Sequence, residues 1–420
     1  MSKTNKRPSH LYLRADRILA GTRLELVGGS GMLVEGAKIL AVGVGAADVP
    51  PDAEEMDFGD ATIMPGLIDA HMHTFGMDSL ALGGLMSARE TGRALRAASE
   101  LGELLEAGFT SARCLGSSVG PDLSRAIAAG LIKGPRLVAA GEFISTTAGT
   151  WGGKPAALLP EGRACAVADG PVEMRRRVRQ RLQEGTDFIK LGLTKGRPND
   201  INKAWGDDPF GQLLAMSDEE LAAAVDEAHR NGFKVSVHAI GDQAVAQALD
   251  HGVDIIEHGY AISEETRKRL AHAQTPVVTT LSQLHYHRMA FDEFGYSRQE
   301  RVSFEAHWKA MLESFRTGLE AGVKFVLGTD LIGRPTHPLA FAAKEFELAV
   351  AGGMEATEAL RAGTVLGAEI LGISTQTGQL TQGYDADIVV VNGSAVDDVR
   401  RLQQPICVIK SGQFALNRLG

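Results

Sequence analysis

Short apolar runs alternate with amphipathic segments through the middle of the chain. Between about residues 62 and 372 the runs are rich in β-branched and aliphatic residues, and the segments between them are rich in Ala, Glu and Arg at helical spacing. This alternation is typical of consecutive βα units, which build a parallel sheet. We count eight runs, at 62–64 leading into 67–68, 110–114, 137–140, 188–191, 235–237, 254–256, 277–280 and 325–327. The sequence therefore predicts an α/β fold with a (β/α)8 TIM barrel.

The segments between the runs predict the helices of this barrel. Their apolar spacing and end signals place helices at 88–107, 172–184, 218–231, 242–251, 264–272, 305–321 and 338–352. Two segments, 142–170 and 281–301, exceed ordinary loop lengths. Both follow predicted strands, so we expect both at the catalytic end of the barrel.

The two ends of the chain share a different, strand-like texture. Apolar residues alternate between residues 11 and 42, and they recur at 387–391 and 406–410 with glycine-containing turns nearby. We therefore predict that residues 1–61 and 373–420 together form a small β-sandwich-like domain. Residues 62–372 would then form the catalytic barrel.

Composition and charge exclude several classes of partner. With 420 residues and 44% hydrophobic content, the chain suits one large and one small domain. A net charge of -9 argues against nucleic acid, because binding to phosphates needs a concentrated cationic surface. No stretch is long and apolar enough to predict a membrane span, and the three scattered cysteines suit a reducing cytoplasm. The oligomeric state, including a homo-oligomer, stays open.

Ionisable side chains recur at the predicted carboxyl ends of the strands, where barrels carry their chemistry. His71 and His73 are two residues apart, which sends both imidazoles to one side of a strand. An arbitrary pair of this spacing is more often two surface histidines. The preceding run Pro65-Gly66-Leu67-Ile68-Asp69-Ala70 reduces the weight of that interpretation.

Four further strands each contribute one such residue: Lys190, His238, His258 and Asp330. Alone, each has an ordinary explanation: a snorkelling lysine, two satisfied core histidines and a helix-capping aspartate. In an apolar strand, however, a buried lysine tends to lose its proton and becomes nucleophilic enough to add carbon dioxide. Neutral imidazoles and carboxylates are common ligands of zinc and other first-row ions. Together these residues predict a metal site.

The ordered set from Pro65-Gly66-Leu67-Ile68-Asp69-Ala70-His71-Met72-His73 through Lys190, His238, His258 and Asp330 resembles the amidohydrolase superfamily. The run Gly378–Ile388 is similar to that family's C-terminal return strand. The resemblance implies two divalent metal ions, most simply zinc, and a carboxylated Lys190 that bridges them. His71, His73 and Asp330 would hold one ion, and His238 and His258 the other. A hydroxide shared by the ions would attack the substrate carbonyl, with Asp330 as the catalytic base.

Within the superfamily, Ile256-Glu257-His258-Gly259 and 191–196 resemble the Xaa-Pro dipeptidase and carboxypeptidase-like branch. Those peptidases resemble one another in a tyrosine two residues after the strand-five histidine and a histidine after strand three. Here the first position is Ile240, and 148–151 contains no histidine. The resemblance implies hydrolysis of an amide-type C–N bond in a small molecule: an amide, a dipeptide, an N-acyl amino acid, an aryl urea or a carbamate.

Two alternatives remain open at this point. A mononuclear deaminase would use His71, His73, His238 and Asp330, but the usual glutamate shortly after the strand-five histidine is missing from 238–241. A non-catalytic barrel could serve as an assembly module, although a scaffold has no reason to bury so many ionisable groups. Candidate substrate contacts, all in or beside the segments that follow strands, are Trp151, Lys195, His285 and His337.

Overall fold

The computed structural model describes residues 10–27, 31–77, 88–150, 166–201 and 205–419. Its central part contains two parallel sheets. The first has three strands, in the order Arg136–Ala139, Phe109–Cys114 and Leu67–Met72. The second has seven, in the order Ala166–Val167, Ile144–Ser145, Ile189–Gly192, Val235–Ala239, Ile255–His258, Val277–Val278 and Phe325–Val326. Each of the eight predicted runs therefore contains a strand.

Hydrogen bonds join the two sheets at both flanks. On one side the Asp187 amide donates to the carbonyl of Ala139 over 2.9 Å. On the other, the Ala70 amide donates to Leu327 over 3.1 Å and the His73 amide to Leu331 over 2.8 Å. A Cβ at Gly328 would lie 2.6 Å from the His71 nitrogen, so glycine permits this close approach of the last strand to the first. The residues after the last strand therefore lie beside His71 and His73.

Helices cover the segments between these strands. The structure has them at Glu90–Glu106, Gly120–Ala128, Gly170–Glu184, Asp218–His229, Asp242–Asp250, Glu264–Ala273, Leu281–Met289, Arg298–Ala321, Lys344–Ala351, Ala356–Ala362 and Val365–Leu371. Five of the predicted helices agree within about two residues. No helix in the described part of the chain combines the length and apolar character needed to cross a bilayer.

The predicted loop 281–301 is wrong in part, because two helices occupy most of it. The first, Leu281–Met289, begins where the Glu345 carboxylate accepts hydrogen bonds from the amides of Leu281 and Ser282. The second begins at Arg298 rather than 305, because Ser297 and Glu300 form a reciprocal capping box. The predicted helix 338–352 is also shorter, with the single 3-10 turn Leu339–Phe341 preceding Lys344–Ala351.

The strands of the two chain ends meet in one sheet, where Ala61–Pro65 lies between them. A six-stranded sheet has the order Gln413–Asn417, Pro405–Lys410, Ile388–Asn392, Ala61–Pro65, Arg17–Ala20 and Glu25–Leu26. A four-stranded sheet has the order Lys38–Val42, Gly31–Glu35, His10–Arg14 and Glu54–Asp57. One cluster of buried apolar residues, including Leu13, Ile63 and Ile388, draws on both sheets. The run 62–64 thus pairs with the terminal strands, whereas 67–72 pairs with the parallel strands. The exact boundaries and the sandwich-like description stay predictions.

Candidate metal centre and active site

His71, His73 and Asp330 meet at the carboxyl ends of the first and last parallel strands. The Nε2 atoms of His71 and His73 lie 3.2 and 3.0 Å from Oδ1 of Asp330. One ligand atom from each of the three residues lies within 4.8 Å of the other two. All three side chains are buried or nearly so. Two imidazoles and a carboxylate at this spacing can hold one divalent ion.

The backbone turns sharply at Asp330 and at His258, at the ends of two parallel strands. Asp330 has a φ of 55° and His258 a φ of 71°, both in the left-handed region that side chains other than glycine seldom adopt. Asp69 fixes the first turn, because its carboxylate accepts hydrogen bonds from the amides of His71 and Thr329 over 3.1 and 3.0 Å. Such conformations persist where surrounding contacts determine them, and they concentrate at functional sites.

Hydrogen bonds at Nδ1 orient three of the histidines. The Nδ1 of His71 lies 2.7 Å from Glu257, that of His73 lies 3.0 Å from the carbonyl of Gly116, and that of His258 lies 2.9 Å from the Thr280 hydroxyl. Because carboxylate and carbonyl oxygens accept, Nδ1 of His71 and His73 carries the proton. Their Nε2 atoms face Asp330 and, once they lose their proton, are the atoms that would bind a metal, as is usual for histidine ligands held by outer partners.

His238 and His258 occupy the ends of the next strands in the sheet. Their ring centroids are 4.7 Å apart, and the His258 ring lies 5.1 Å from that of His71. Burial lowers the pKa of His238 to about 3, with the nearby Lys190 amine contributing, and burial also holds the pKa of His258 well below its usual range. Both rings are therefore neutral near pH 7, which is the form that binds metals.

The Lys190 amine is buried beside these histidines. Its Nζ has no hydrogen-bond partner among the residues that the structure describes, and the same holds for Nε2 of His238. Burial lowers the pKa of Lys190 to about 8, against the opposing charge of Glu257. An orphaned buried amine is costly. A modified, anionic form of this side chain that ligates metal ions would remove that cost, so the donor set fits a metal centre.

The Asp330 carboxylate is ionised in this setting. Burial alone would raise its pKa, but the charges and hydrogen bonds of His71 and His73 outweigh that effect and hold the pKa well below its usual range. Asp330 can therefore act both as a ligand and as a proton acceptor.

The four predicted substrate contacts lie in different surroundings. Lys195 is half-buried in the short strand Thr194–Lys195, and His285 is half-buried on the helix Leu281–Met289. His337 is buried, with its ring 4.3 Å from that of His287, and its pKa is lowered to about 4 by burial, against the opposing charge of Asp330. Trp151 lies outside the described residues. Of the three described residues, His337 is the one whose pKa responds to the charge of Asp330.

Sequence reasoning gave no role to several residues that build the site. Glu257 binds His71 and also contacts Ser236 and the guanidinium of Arg113. The sequence does carry a signal for them: Arg113 and Glu257 are charged residues in or beside runs predicted as buried strands, where burial without a partner is unfavourable. Trp205 also approaches the site, with its ring 5.9 Å from that of His258. It follows no recognisable motif.

Comparison with known proteins identifies the family of this chain. The sequence profile described as "Amidohydrolase family" matches residues 62–415. The chain belongs to the amidohydrolase family. It is 30% identical over 401 residues to the ochratoxinase of Aspergillus niger, covering 90% of this chain and 80% of that one.

Solved structures of related proteins support the resemblance to the Xaa-Pro dipeptidase-like branch. A prolidase complexed with N-methylphosphonate-L-proline superposes with a TM-score of 0.85 at 28% identity, over 96% of this chain and 99% of that one. A Xaa-Pro dipeptidase with methionine bound in its active site gives 0.83 at 27% identity, over 97% and 99% of the chains. These neighbours imply a TIM-barrel-type α/β fold. The resemblance to the dipeptidase-like branch is thus confirmed.

This amidohydrolase is therefore an enzyme that acts on C–N bonds. The family generally uses a divalent metal site, and the group formed by His71, His73 and Asp330 is in keeping with one. An assembly module without activity is accordingly excluded as the primary interpretation.

Proposed function

We propose that this amidohydrolase is a binuclear, metal-dependent hydrolase of small-molecule amides, built on a closed (β/α)8 barrel. The observation that carries the proposal is that six buried or nearly buried ionisable side chains come from the ends of five parallel strands, with contacts among His71, His73, His238, His258 and Asp330 and with the Lys190 amine near His238. They are His71, His73, Lys190, His238, His258 and Asp330. The substrates would be small-molecule amides such as dipeptides, N-acyl amino acids, aryl ureas or carbamates.

Each residue has a defined place in this centre. His71, His73 and Asp330 would hold one ion, and His238 and His258 the other, with a carboxylated Lys190 between them. Zinc is the simplest choice for imidazole and carboxylate ligands. When bound, such ions supply a Lewis acid and a water of lowered pKa. The buried Nζ of Lys190, which has no hydrogen-bond partner among the described residues, is the observation that favours two ions over one.

Asp330 moves the proton in this scheme. Its Oδ1, beside the two imidazoles, accepts the proton of the attacking water and returns it to the departing nitrogen. That transfer is needed because an amine leaves poorly as an anion. Ile240 supplies no hydroxyl where the related peptidases have tyrosine. Bound metal ions would therefore supply most of the stabilisation of the carbonyl oxygen, and His337 is the candidate among the substrate contacts for further orientation.

Metal counting combined with a substrate screen tests this proposal. Wild-type protein loaded with zinc should hold about two ions per chain and hydrolyse members of a panel of dipeptides, N-acyl amino acids, aryl ureas, carbamates and lactams. Lys190→Ala should lose bound metal and activity. Lys234→Ala is the matched control, because Lys234 is exposed and immediately precedes the neighbouring strand Val235–Ala239. Two ions and unchanged turnover in Lys190→Ala would contradict the proposal, whereas deaminated products would favour the mononuclear alternative.

A further inference from the structure

Thr280 has an unusual backbone conformation directly before the helix Leu281–Met289. Its φ is 78° and its ψ is 32°, in the left-handed region, and the residue is fully buried. Threonine is unfavourable there, because its branched Cβ is crowded against the backbone, whereas glycine or asparagine enters this region more readily. The sequence therefore has a poorly suited residue type at this position.

Backbone hydrogen bonds on both sides of Thr280 hold it in this conformation. Its own amide donates to the carbonyl of Gly328 over 2.9 Å. The next two amides, those of Leu281 and Ser282, donate to the Glu345 carboxylate over 2.9 and 2.7 Å. None of these contacts uses the side chain of Thr280. They would hold another residue at this position equally well, so they do not explain why it is threonine.

The side chain of Thr280 contacts a proposed metal ligand. Its hydroxyl lies 2.9 Å from Nδ1 of His258, which is also buried. When the hydroxyl oxygen accepts the Nδ1 proton, Nε2 of the neutral ring is left without a proton and can bind a metal. His71 and His73 have a carboxylate and a carbonyl in the corresponding place. For His258, Thr280 is therefore the counterpart of the outer partners that orient the other two histidines.

We propose that Thr280 is a positioning residue of the metal centre: its hydroxyl fixes the His258 ring for the second ion, while its Cβ makes the local backbone conformation unfavourable. The inference rests on the proposed binuclear function and adds to it a residue outside the ligand set. Conformations of this kind persist where surrounding contacts determine them, and they concentrate at functional sites. It follows that metal affinity and stability depend on different properties of the side chain at this position.

Metal affinity should depend on the hydroxyl. Co²⁺ can be titrated into metal-free protein in the presence of bicarbonate, with competition against a chelator to resolve two dissociation constants. Thr280→Val keeps the shape of the side chain and removes the hydroxyl, so it should weaken the second ion by about 10- to 100-fold, the range typical for loss of an outer partner. Thr280→Ser keeps the hydroxyl and should bind both ions as wild type does. The first ion, at His71, His73 and Asp330, should be unchanged in both variants.

Stability should depend on the backbone conformation. Thr280→Ala and Thr280→Gly both lack the hydroxyl and the methyl group, and they differ in the Cβ that disfavours a positive φ. The urea midpoint of the metal-free protein should be higher for Thr280→Gly than for Thr280→Ala, the reverse of the order expected inside a helix or strand. Both variants should bind the second ion as weakly as Thr280→Val, because neither has a hydroxyl.

A buried threonine between the helices Ala356–Ala362 and Val365–Leu371 provides the matched control. The Thr364 hydroxyl donates to the Leu360 carbonyl over 2.6 Å, and Thr364 is as buried as Thr280. Thr364→Val removes this hydrogen bond and should lower the urea midpoint. Both dissociation constants for Co²⁺ should stay at their wild-type values, because this hydroxyl has no contact with a proposed ligand.

The outcomes distinguish this inference from the proposed function. Two ions in wild type and an equally tight second ion in Thr280→Val would overturn the role of Thr280, as would affinities that follow the stability of the variants and not the hydroxyl. If wild type binds a single ion, the two-ion proposal fails, and crystal structures of the metal-free proteins decide the inference. The His258 ring should then be turned from its wild-type orientation in Thr280→Val and not in Thr280→Ser. A ring that keeps its orientation in Thr280→Val would overturn it.

Discussion

The Nδ1 of His71 lies 2.7 Å from Oε2 of Glu257, and both side chains are almost fully buried. Glu257 also contacts Ser236 and forms an ion pair with Arg113. The Arg113 guanidinium donates to the Ala70 carbonyl over 2.7 Å and lies 5.1 Å from the Phe188 ring centroid. Side chains from several strands thus meet on the inner side of the candidate centre and fix the orientation of one proposed ligand.

Glu257→Gln should weaken metal binding. The neutral amide is a poorer acceptor for the His71 Nδ1 proton, so the imidazole loses both orientation and basicity. Loss of such an outer partner typically costs about 10- to 100-fold in metal affinity. Competition with a chromogenic chelator measures this change. Glu358→Gln, which removes an exposed partner of Arg361, is the control and should leave affinity unchanged. Equal affinities in the two variants would show that Glu257 does not orient His71.

Arg113→Met should lower the free energy of unfolding. It leaves the carboxylate of Glu257 buried and without its cationic partner, a change that typically costs about 3 to 5 kcal/mol. The free energy of unfolding in urea measures the loss. The double variant Arg113→Met/Glu257→Gln should recover part of it, because the uncompensated charge is gone. Additive losses in the double variant would argue against a direct coupling.

Much of this fold follows from sequence pattern, because parallel strands and amphipathic helices have distinct periods. The eight apolar runs contain the strands, and Asp218–His229 and Asp242–Asp250 begin where predicted. The local sequence pattern did not predict the elements whose position depends on tertiary contacts. The helix Leu281–Met289 has little amphipathic pattern and begins at two amides held by Glu345, which is 64 residues away in the sequence. Likewise, the run 62–64 pairs with 388–392, a partner that no local signal specifies.

The candidate site likewise has some features that follow from the local sequence and others that depend on tertiary contacts. The pairing of His71 and His73 could be predicted from the sequence, because their spacing within a strand places both on one side. The position of Lys190 relative to Glu257 could not be predicted, because it depends on which strands become neighbours in the sheet. Trp205 precedes Gly206, whose carbonyl accepts a hydrogen bond from His307 on a helix about a hundred residues later. No periodicity in the sequence reports such a contact.

Asp330→Asn should reduce turnover by about 2 to 4 orders of magnitude, the range expected for loss of a general base. The amide cannot accept the proton from the attacking water, and it is a weaker ligand beside His71 and His73. Steady-state kinetics with an amide substrate measures the effect, with metal content determined in parallel. Full metal content with low kcat would separate the proton-transfer role from the ligand role. Unchanged turnover would remove Asp330 from the chemistry.

Removal of metal and bicarbonate should inactivate the enzyme, and activity should return fully only when both are supplied. The Lys190 amine needs carbon dioxide to form the proposed carbamate, so reconstitution with zinc alone in degassed buffer should be slow. Added bicarbonate should accelerate recovery of activity in wild type. Equal recovery with and without bicarbonate would indicate that the unmodified lysine suffices.

Glu345→Gln should loosen the His258 side of the site through a chain of contacts. The buried Glu345 carboxylate accepts hydrogen bonds from the Thr279 hydroxyl and from the amides of Leu281 and Ser282. Thr280, enclosed between them, holds Nδ1 of His258 over 2.9 Å. A glutamine turns one acceptor into a donor facing these groups, and an unsatisfied buried polar group costs about 1 to 3 kcal/mol.

Thermal unfolding of Glu345→Gln should therefore show a lower midpoint, and metal titration should show weakened binding of one ion rather than both, because His71, His73 and Asp330 keep their own contacts. Glu347→Gln is the matched control, since that carboxylate lies two residues along the same helix and pairs with Lys344 near the surface. A Glu345→Gln protein of lower stability with two equally tight ions would mean that this carboxylate supports the fold and not the position of His258.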